Sequence, residues 1–174
     1  LVELIRRTST DLPADVEKRL REAREQEAPG SAAQGAFDSI LENIQMSRGA
    51  SRPICQDTGT PIFYVWYPEG WSQRKLREQI VKAVQTATEK SYLRPNAVEA
   101  ISGKNSGDNT GVDFPTIHFE EWEQDYLKVG LMLNVANAAS ASNPNSPTLI
   151  ESPALGANMF SLGLTPVNQK PTTA

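Results

Sequence analysis

Cys55 is the only cysteine among 174 residues, and it stands in the stretch Arg52-Pro53-Ile54-Cys55-Gln56-Asp57-Thr58-Gly59-Thr60. A thiol, an amide, a carboxylate and two hydroxyls thus fall within a few residues, a dense set of ligand-forming groups. Pro53 and Gly59 both interrupt helix, so these groups project from a turn. On residue type alone a second reading stands beside this one, in which Cys55 is a small buried apolar side chain.

The chemistry open to such a turn is bounded by what else the chain holds. Iron-sulfur clusters are bound by cysteine thiolates, and a cluster that acts as a Lewis acid keeps one iron free of protein ligands, so three cysteines serve it. This chain supplies one. Structural zinc needs four Cys or His ligands, and the chain has one of each. A Cys-His nucleophile pair would have to use His118, but a lone histidine between Ile117 and Phe119 on a strand is more often a structural residue. A second polar stretch, Gly103-Lys104-Asn105-Ser106-Gly107-Asp108-Asn109-Thr110-Gly111, offers amides and backbone donors to an anion, or is an ordinary turn built from turn-forming residues. It lacks the glycine spacing of a phosphate-binding loop.

These stretches need a scaffold. Leu1 to Ile5 reads as a short helical turn, and Asp11-Leu12-Pro13 restarts the chain with Pro13 in a first-turn position. A second helix carries Val16, Leu20 and Ala23 on one side and a solvated charge run on the other, ending at Pro29-Gly30-Ser31. Phe37, Ile40, Leu41 and Ile44 mark a third helix that Gly49 is expected to close. Pro61 to Tyr67 is continuously apolar and aromatic, which predicts a central strand covered on both faces. After Pro68-Glu69-Gly70, Ser72 caps a helix carrying Leu76, Ile80, Val81, Val84 and Ala87 and running to about Lys90, and Leu93-Arg94-Pro95-Asn96 breaks it. The glycine-rich loop leads into a strand at Pro115 to Phe119. A hairpin-like connection over Glu120 to Asp125 then joins it to a strand from Tyr126 to Leu133, with Leu127, Val129, Leu131 and Leu133 on one face. The fold expected is α+β: N-terminal helices packed on a small mixed sheet, with an irregular C-terminal tail.

Two regions follow from composition. Residues 1–133 hold these elements; residues 134–174 contain only Glu151 and Lys170 as charges and are rich in Ala, Ser, Asn and Pro, which predicts irregular or partly disordered structure with local docking of Met159-Phe160-Ser161-Leu162. The formal charge of -4 argues against a nucleic-acid partner. No stretch approaches the roughly 18 to 20 apolar residues that span a bilayer, nor is there a signal-peptide pattern, so no membrane association and a cytoplasmic location are expected.

Taken in order, Ile54-Cys55-Gln56-Asp57-Thr58-Gly59-Thr60, Leu93-Arg94-Pro95-Asn96, Lys104 to Gly111 and Ile117-His118-Phe119 resemble the iron-sulfur hydro-lyases, the class I fumarases and the α subunit of L-tartrate dehydratase. The resemblance spans roughly residues 1 to 133. It implies reversible addition of water to a small dicarboxylate, fumarate to malate or tartrate to oxaloacetate, at a 4Fe-4S cluster. By position, Cys55 resembles the first of three cluster ligands, Gln56 and Asp57 would lie beside the substrate, and Arg94 resembles the arginine that grips a substrate carboxylate with its bidentate fork. Where the family continues into a Lys-Gly-Gly-Gly segment, this chain reads Asn134-Val135-Ala136-Asn137-Ala138, and the two later cysteines and the domain carrying the catalytic base do not follow. The resemblance therefore implies a chain inactive alone, truncated, altered or completed by a second subunit or C-terminal domain, with homodimerisation. The other expectation, from a different class, is a non-catalytic relic or interaction domain that keeps the fold without the site.

Overall fold

The computed structural model describes residues 1–55, 58–99 and 101–134 and the backbone of 160–162. In chain order it contains α1 (Val2–Thr10), α2 (Ala14–Gln26), α3 (Ala32–Ala50), β1 (Thr60–Pro68), α4 (Gln73–Glu89), β2 (Thr116–Trp122), β3 (Lys128–Asn134) and β4 (Phe160–Leu162). The architecture is α+β, helices over a small mixed sheet, as the pattern of elements implies. Strand order is β2-β1-β3-β4. β1 runs parallel to β2 and antiparallel to β3, and β4 pairs antiparallel with β3.

β1 is central, as expected, but it is not covered on both faces. Its burial alternates strictly, so Phe63, Val65 and Tyr67 enter the core while Ile62, Tyr64 and Trp66 lie on a half-exposed outer face. The continuous apolar run hides this period-2 pattern because the outer face is also aromatic. There Tyr64 stacks on His118 at 5.0 Å. The Trp66 indole donates to Glu120 at 2.8 Å, and the Lys128 ammonium sits 4.6 Å over the Trp66 ring. Cross-strand pairs of this kind let large rings face water without a covering helix.

The inner face carries the hydrophobic core. Phe63, Val65, Val129 and Leu131 pack against Leu4 and Ile5 of α1 and Ile80, Ala83, Val84 and Ala87 of α4, with Leu93 closing one end. Ser72 caps α4 by accepting from the Lys75 N–H at 3.4 Å. α1 is a full helix rather than a single turn: Leu4 and Ile5 pack in the core, and the Thr8 and Thr10 hydroxyls, buried in its last turn, are satisfied by the Leu4 and Arg6 carbonyls.

α2 and α3 form an antiparallel pair beside α1, with ion pairs linking their opposite ends and Val16, Leu20 and Ala23 of α2 only partly buried. Arg48 donates to Asp11 and to Glu17, and Arg24 to Asp38, and no α2 residue is fully buried. Arg48 and Arg21 hold the Glu17 carboxyl below its usual range. Gly49 does not close α3. The helix runs to Ala50, and Ser51 takes the left-handed cap conformation at φ 50 and ψ 48, its hydroxyl accepting from Arg6 at 3.2 Å. On α3, Leu41 and Ile44 turn inward, whereas Ile40 is 44% exposed.

Glu120 to Asp125 is not a hairpin connection. Glu120 to Trp122 belong to β2, which ends beside Pro68. The chain then crosses the end of β1 and returns as β3 on its other side, with Lys128 opposite Trp66. Two strands flanking a third cannot be joined by a tight turn.

Replacing Phe63 by Ala is expected to cost about 3 to 5 kcal/mol, since the ring is fully buried and its neighbours collapse only in part. Ile40→Ala is expected to change stability by less than about 0.5 kcal/mol. Urea unfolding of both variants against the parent checks the difference.

Candidate functional site

Cys55 follows a segment held to two helices. The Arg52 N–H bonds to the Ser47 carbonyl at 3.1 Å and the Ile54 N–H to the Ser9 carbonyl at 2.9 Å. The Asn43 amide donates to the Ile54 carbonyl at 2.9 Å. With its approach pinned to the ends of α1 and α3, Cys55 is exposed and its thiol is free. That excludes the packing role which its residue type also allowed. Gln56 and Asp57 lie outside the described residues. The Thr58 hydroxyl donates to the Cys55 carbonyl at 3.1 Å, and Thr58 and Gly59 are buried as the chain enters β1.

Arg94 reaches the same place from the other side of the core. Leu93 is buried at 2% exposure and anchors the loop after α4, and the Arg94 N–H points to the Thr58 carbonyl at 3.4 Å. Gly59 lets the two backbones meet. A β-carbon there would stand 2.6 Å from the Arg94 carbonyl oxygen and 2.6 Å from the Asn96 β-carbon. Only a residue without a side chain allows that approach. The Arg94 side chain is exposed and forms no ion pair among the described residues, whereas Arg48, Arg24, Arg21, Arg6 and Arg7 each have an acidic partner. The sequence-derived pair of Cys55 and Arg94 thus sits on two adjoining segments at the start of β1.

The polar loop between Gly103 and Gly111 folds behind them, and its side chains are used internally. Asn105 donates to the Pro95 carbonyl at 2.5 Å and accepts from the Gly107 N–H at 2.7 Å. Asp108 accepts from the Thr110 hydroxyl at 2.7 Å and from the Thr110 N–H at 3.0 Å, and Gln85 on α4 donates to it at 3.1 Å. Asn105, Asp108 and Thr110 thus serve as turn-forming residues, although Lys104, Asn105 and Ser106 remain exposed. His118 is a ring-stacking residue opposite Tyr64, on the edge strand β2. What residue type did not show is that Gly59, through its lack of a side chain, and Asn109, whose amide donates to the Arg94 carbonyl at 2.8 Å, bring the segments together. Among the described residues no group of three or more His, Cys, Asp or Glu is placed to hold a metal ion. Nor, among them, is any helix long and apolar enough to cross a membrane.

Comparison with known proteins places these residues in a family context. The family described as Fumarate hydratase (Fumerase) matches residues 1–148. A protein named as a class I fumarate hydratase from Geobacillus stearothermophilus is 44% identical over 133 residues, 76% of this chain and 26% of its own length. One named as L(+)-tartrate dehydratase subunit alpha from Methanocaldococcus jannaschii is 33% identical over 69% of this chain and 43% of its own. The L(+)-tartrate dehydratase subunit alpha of Escherichia coli K12 is 34% identical over 64% of this chain and 37% of its own. The chain thus spans less than half the length of these relatives.

Two outcomes test the geometry. Gly59→Ala must push the Arg94 to Asn96 backbone away and is expected to cost about 1 to 3 kcal/mol. Gly35→Ala, inside α3 with nothing within 4 Å, is expected to gain roughly 0.5 to 1 kcal/mol; denaturant unfolding reads both. The second outcome concerns acid. The Thr110 hydroxyl, then the Thr110 N–H and Gln85, hold the Asp108 carboxyl below its ordinary range. A carboxyl with a folded pKa below its unfolded one stabilises fully above the unfolded value and loses that contribution as pH falls through the folded value. Thermal melts of Asp108→Asn from pH 7 to 2 are expected to show a shallower loss of stability on acidification than the parent.

Proposed function

The chain belongs to the fumarate hydratase family, and from that membership we propose that it carries one part of a hydro-lyase active site that adds or removes water on a small dicarboxylate. The relatives' names give two substrate classes, fumarate with malate and tartrate with oxaloacetate. The higher identity to the fumarate hydratase relative favours the first. The observation that carries the reading is Arg94: an exposed guanidinium without an acidic partner among the described residues, on a loop fixed against the Cys55 turn. An exposed arginine with no acidic partner among the described residues, on a segment adjoining that of a free thiol, is suited to grip a carboxylate through two parallel N–H donors. Gln56 and Asp57, next to Cys55 in sequence, are the residues proposed to flank the bound substrate.

A 4Fe-4S cluster is the cofactor that the family resemblance implies, with Cys55 as a ligand. The exposed free thiol suits that role, yet the chain offers one thiolate where such a cluster uses three or four. Residues 1–174 by themselves therefore do not fit the whole group. Its remaining thiolates have to come from outside this sequence, on a second subunit or a further domain. That partner is part of the proposal, supported by relatives named as alpha subunits, as is pairing of two copies.

Titration of the chain with L-malate, followed by the Arg94 side-chain Nε–H resonance, is expected to show saturable binding. Arg94→Lys should weaken it about tenfold and Arg94→Ala should abolish it. Anaerobic addition of iron and sulfide should leave the chain alone without a stable visible chromophore. With a partner subunit that supplies the missing thiolates a chromophore should form, and Cys55→Ser should remove it. Malate binding unchanged by Arg94→Ala, or a chromophore indifferent to Cys55→Ser, would overturn the corresponding assignment. Loss of both would leave the non-catalytic interaction domain as the better account.

A further inference from the structure

Asn109 stands apart from its neighbours in the polar loop. Asn105 and Asp108 each hold the loop's own backbone, through Gly107 and Thr110, but none of the Asn109 side-chain bonds does. Its Oδ1 accepts from the Asn96 N–H and the Ala97 N–H, both at 3.0 Å. Its Nδ2 donates to the Arg94 carbonyl at 2.8 Å and to the Thr88 hydroxyl at 3.0 Å. Four bonds exhaust what a carboxamide can form. The residue is 0% exposed and its backbone is left-handed at φ 60, a conformation that asparagine tolerates better than most residues.

We propose that Asn109 is a positioning residue for dicarboxylate recognition, setting where the Arg94 guanidinium meets a substrate carboxylate. The inference rests on the reading of Arg94 given above. The peptide units on both sides of Arg94 are fixed: its N–H faces Thr58 and its carbonyl is held by Asn109. Pro95 restricts the same residue further. An arginine fork engages a carboxylate only within a narrow range of positions, and displacement of about 1 Å at such a group costs binding and rate steeply. The buried carboxamide supplies this placement while remaining out of reach of substrate, because both of its ends are occupied. Thr88 ties the arrangement to α4, its own hydroxyl donating to the Val84 carbonyl at 2.9 Å.

Asn109→Gly keeps the left-handed backbone and removes all four bonds; Thr88→Val removes one acceptor at nearly constant volume. Amide hydrogen exchange at Asn96 and Ala97 reads the clamp without ligand, and L-malate titration reads its purpose. Asn109→Gly is expected to speed both amides at least about tenfold and to weaken L-malate about tenfold, and Thr88→Val to weaken it about threefold. In an Arg94→Lys background, where the oriented fork is already gone, Asn109→Gly should add less than about twofold. A purely structural contribution would instead be additive. Parent-like malate affinity in Asn109→Gly, or additive effects in the double variant, overturns the proposal. If the parent itself gives no malate response, the reading of Arg94 fails and the proposal falls with it, while amide exchange still shows whether the clamp exists. Should Asn109→Gly lose cooperative unfolding, Thr88→Val decides, and an unchanged affinity there overturns the proposal.

Discussion

The Arg94 carbonyl oxygen is where three separate stretches of chain converge. It accepts from the buried Asn109 carboxamide and from the Asn96 N–H, both at 2.8 Å, and it lies where Gly59 leaves no room for a β-carbon. A carbonyl has two lone pairs, and here both acceptor sites are taken, one of them by a side chain from a separate loop. The turn before β1, the loop after α4 and the loop before β2 are thereby set relative to one another without any of their reactive side chains being used. Cys55 and Arg94 are left exposed because the residues around them are fully engaged with each other.

That convergence depends on the sheet below it. β1 is central, so its start lies between the loop after α4 and the segment leading into β2, and the parallel register of Ile62 with Thr116 fixes how far along the strand they meet. The core that holds β1 is formed by α1, α4 and the inner faces of β1 and β3. It contains none of the proposed site residues. Stability and recognition are therefore separable in this chain: substitutions at Cys55 or Arg94 touch exposed groups, while Phe63, Leu131 and Val84 bear on the whole fold. Loops that carry function on a rigid scaffold normally divide the work in this way.

The sequence made some of this legible and concealed the rest for identifiable reasons. Helical periodicity located α2, α3 and α4, and the Ser72 cap followed from its chemistry. Residue type together with the family resemblance singled out Cys55 and Arg94, although Gln56 and Asp57 lie outside the described residues. The one-sided burial of β1 was hidden because Tyr64 and Trp66 are as apolar in composition as the inward-facing Phe63 and Val65. The hairpin expectation failed because nothing in a short polar connection says whether it joins neighbours or steps across a third strand. Gly49 reads as a helix stop, yet an exposed glycine costs a helix only about 1 kcal/mol and the cap fell to Ser51 instead. Asn109 was visible as a turn residue or as an amide open to an anion, not as a buried clamp, since a carboxamide declares its partners only when the fold has brought them within reach.

Charge completes the assignment of the two ends of β1. At its finish, beside Pro68, the chain gathers Glu69, Glu121, Glu123 and Asp125 around an open concavity. At its start the adjoining segments contribute Arg52 and Arg94, neither with an ion-pair partner among the described residues. Nine residues of strand separate the two groups, roughly 30 Å at strand rise, several times the Debye length of about 8 Å at physiological salt. Among the described residues, acidic side chains thus gather at the finish of β1, and Arg52 and Arg94 stand near its start. In the reading proposed above, a dicarboxylate would meet Arg94 at the start of β1, at the opposite end of the strand from the acidic loop. The exposed Arg94 guanidinium and the close backbone packing therefore share one end of the strand, the end that the Arg94 carbonyl ties together.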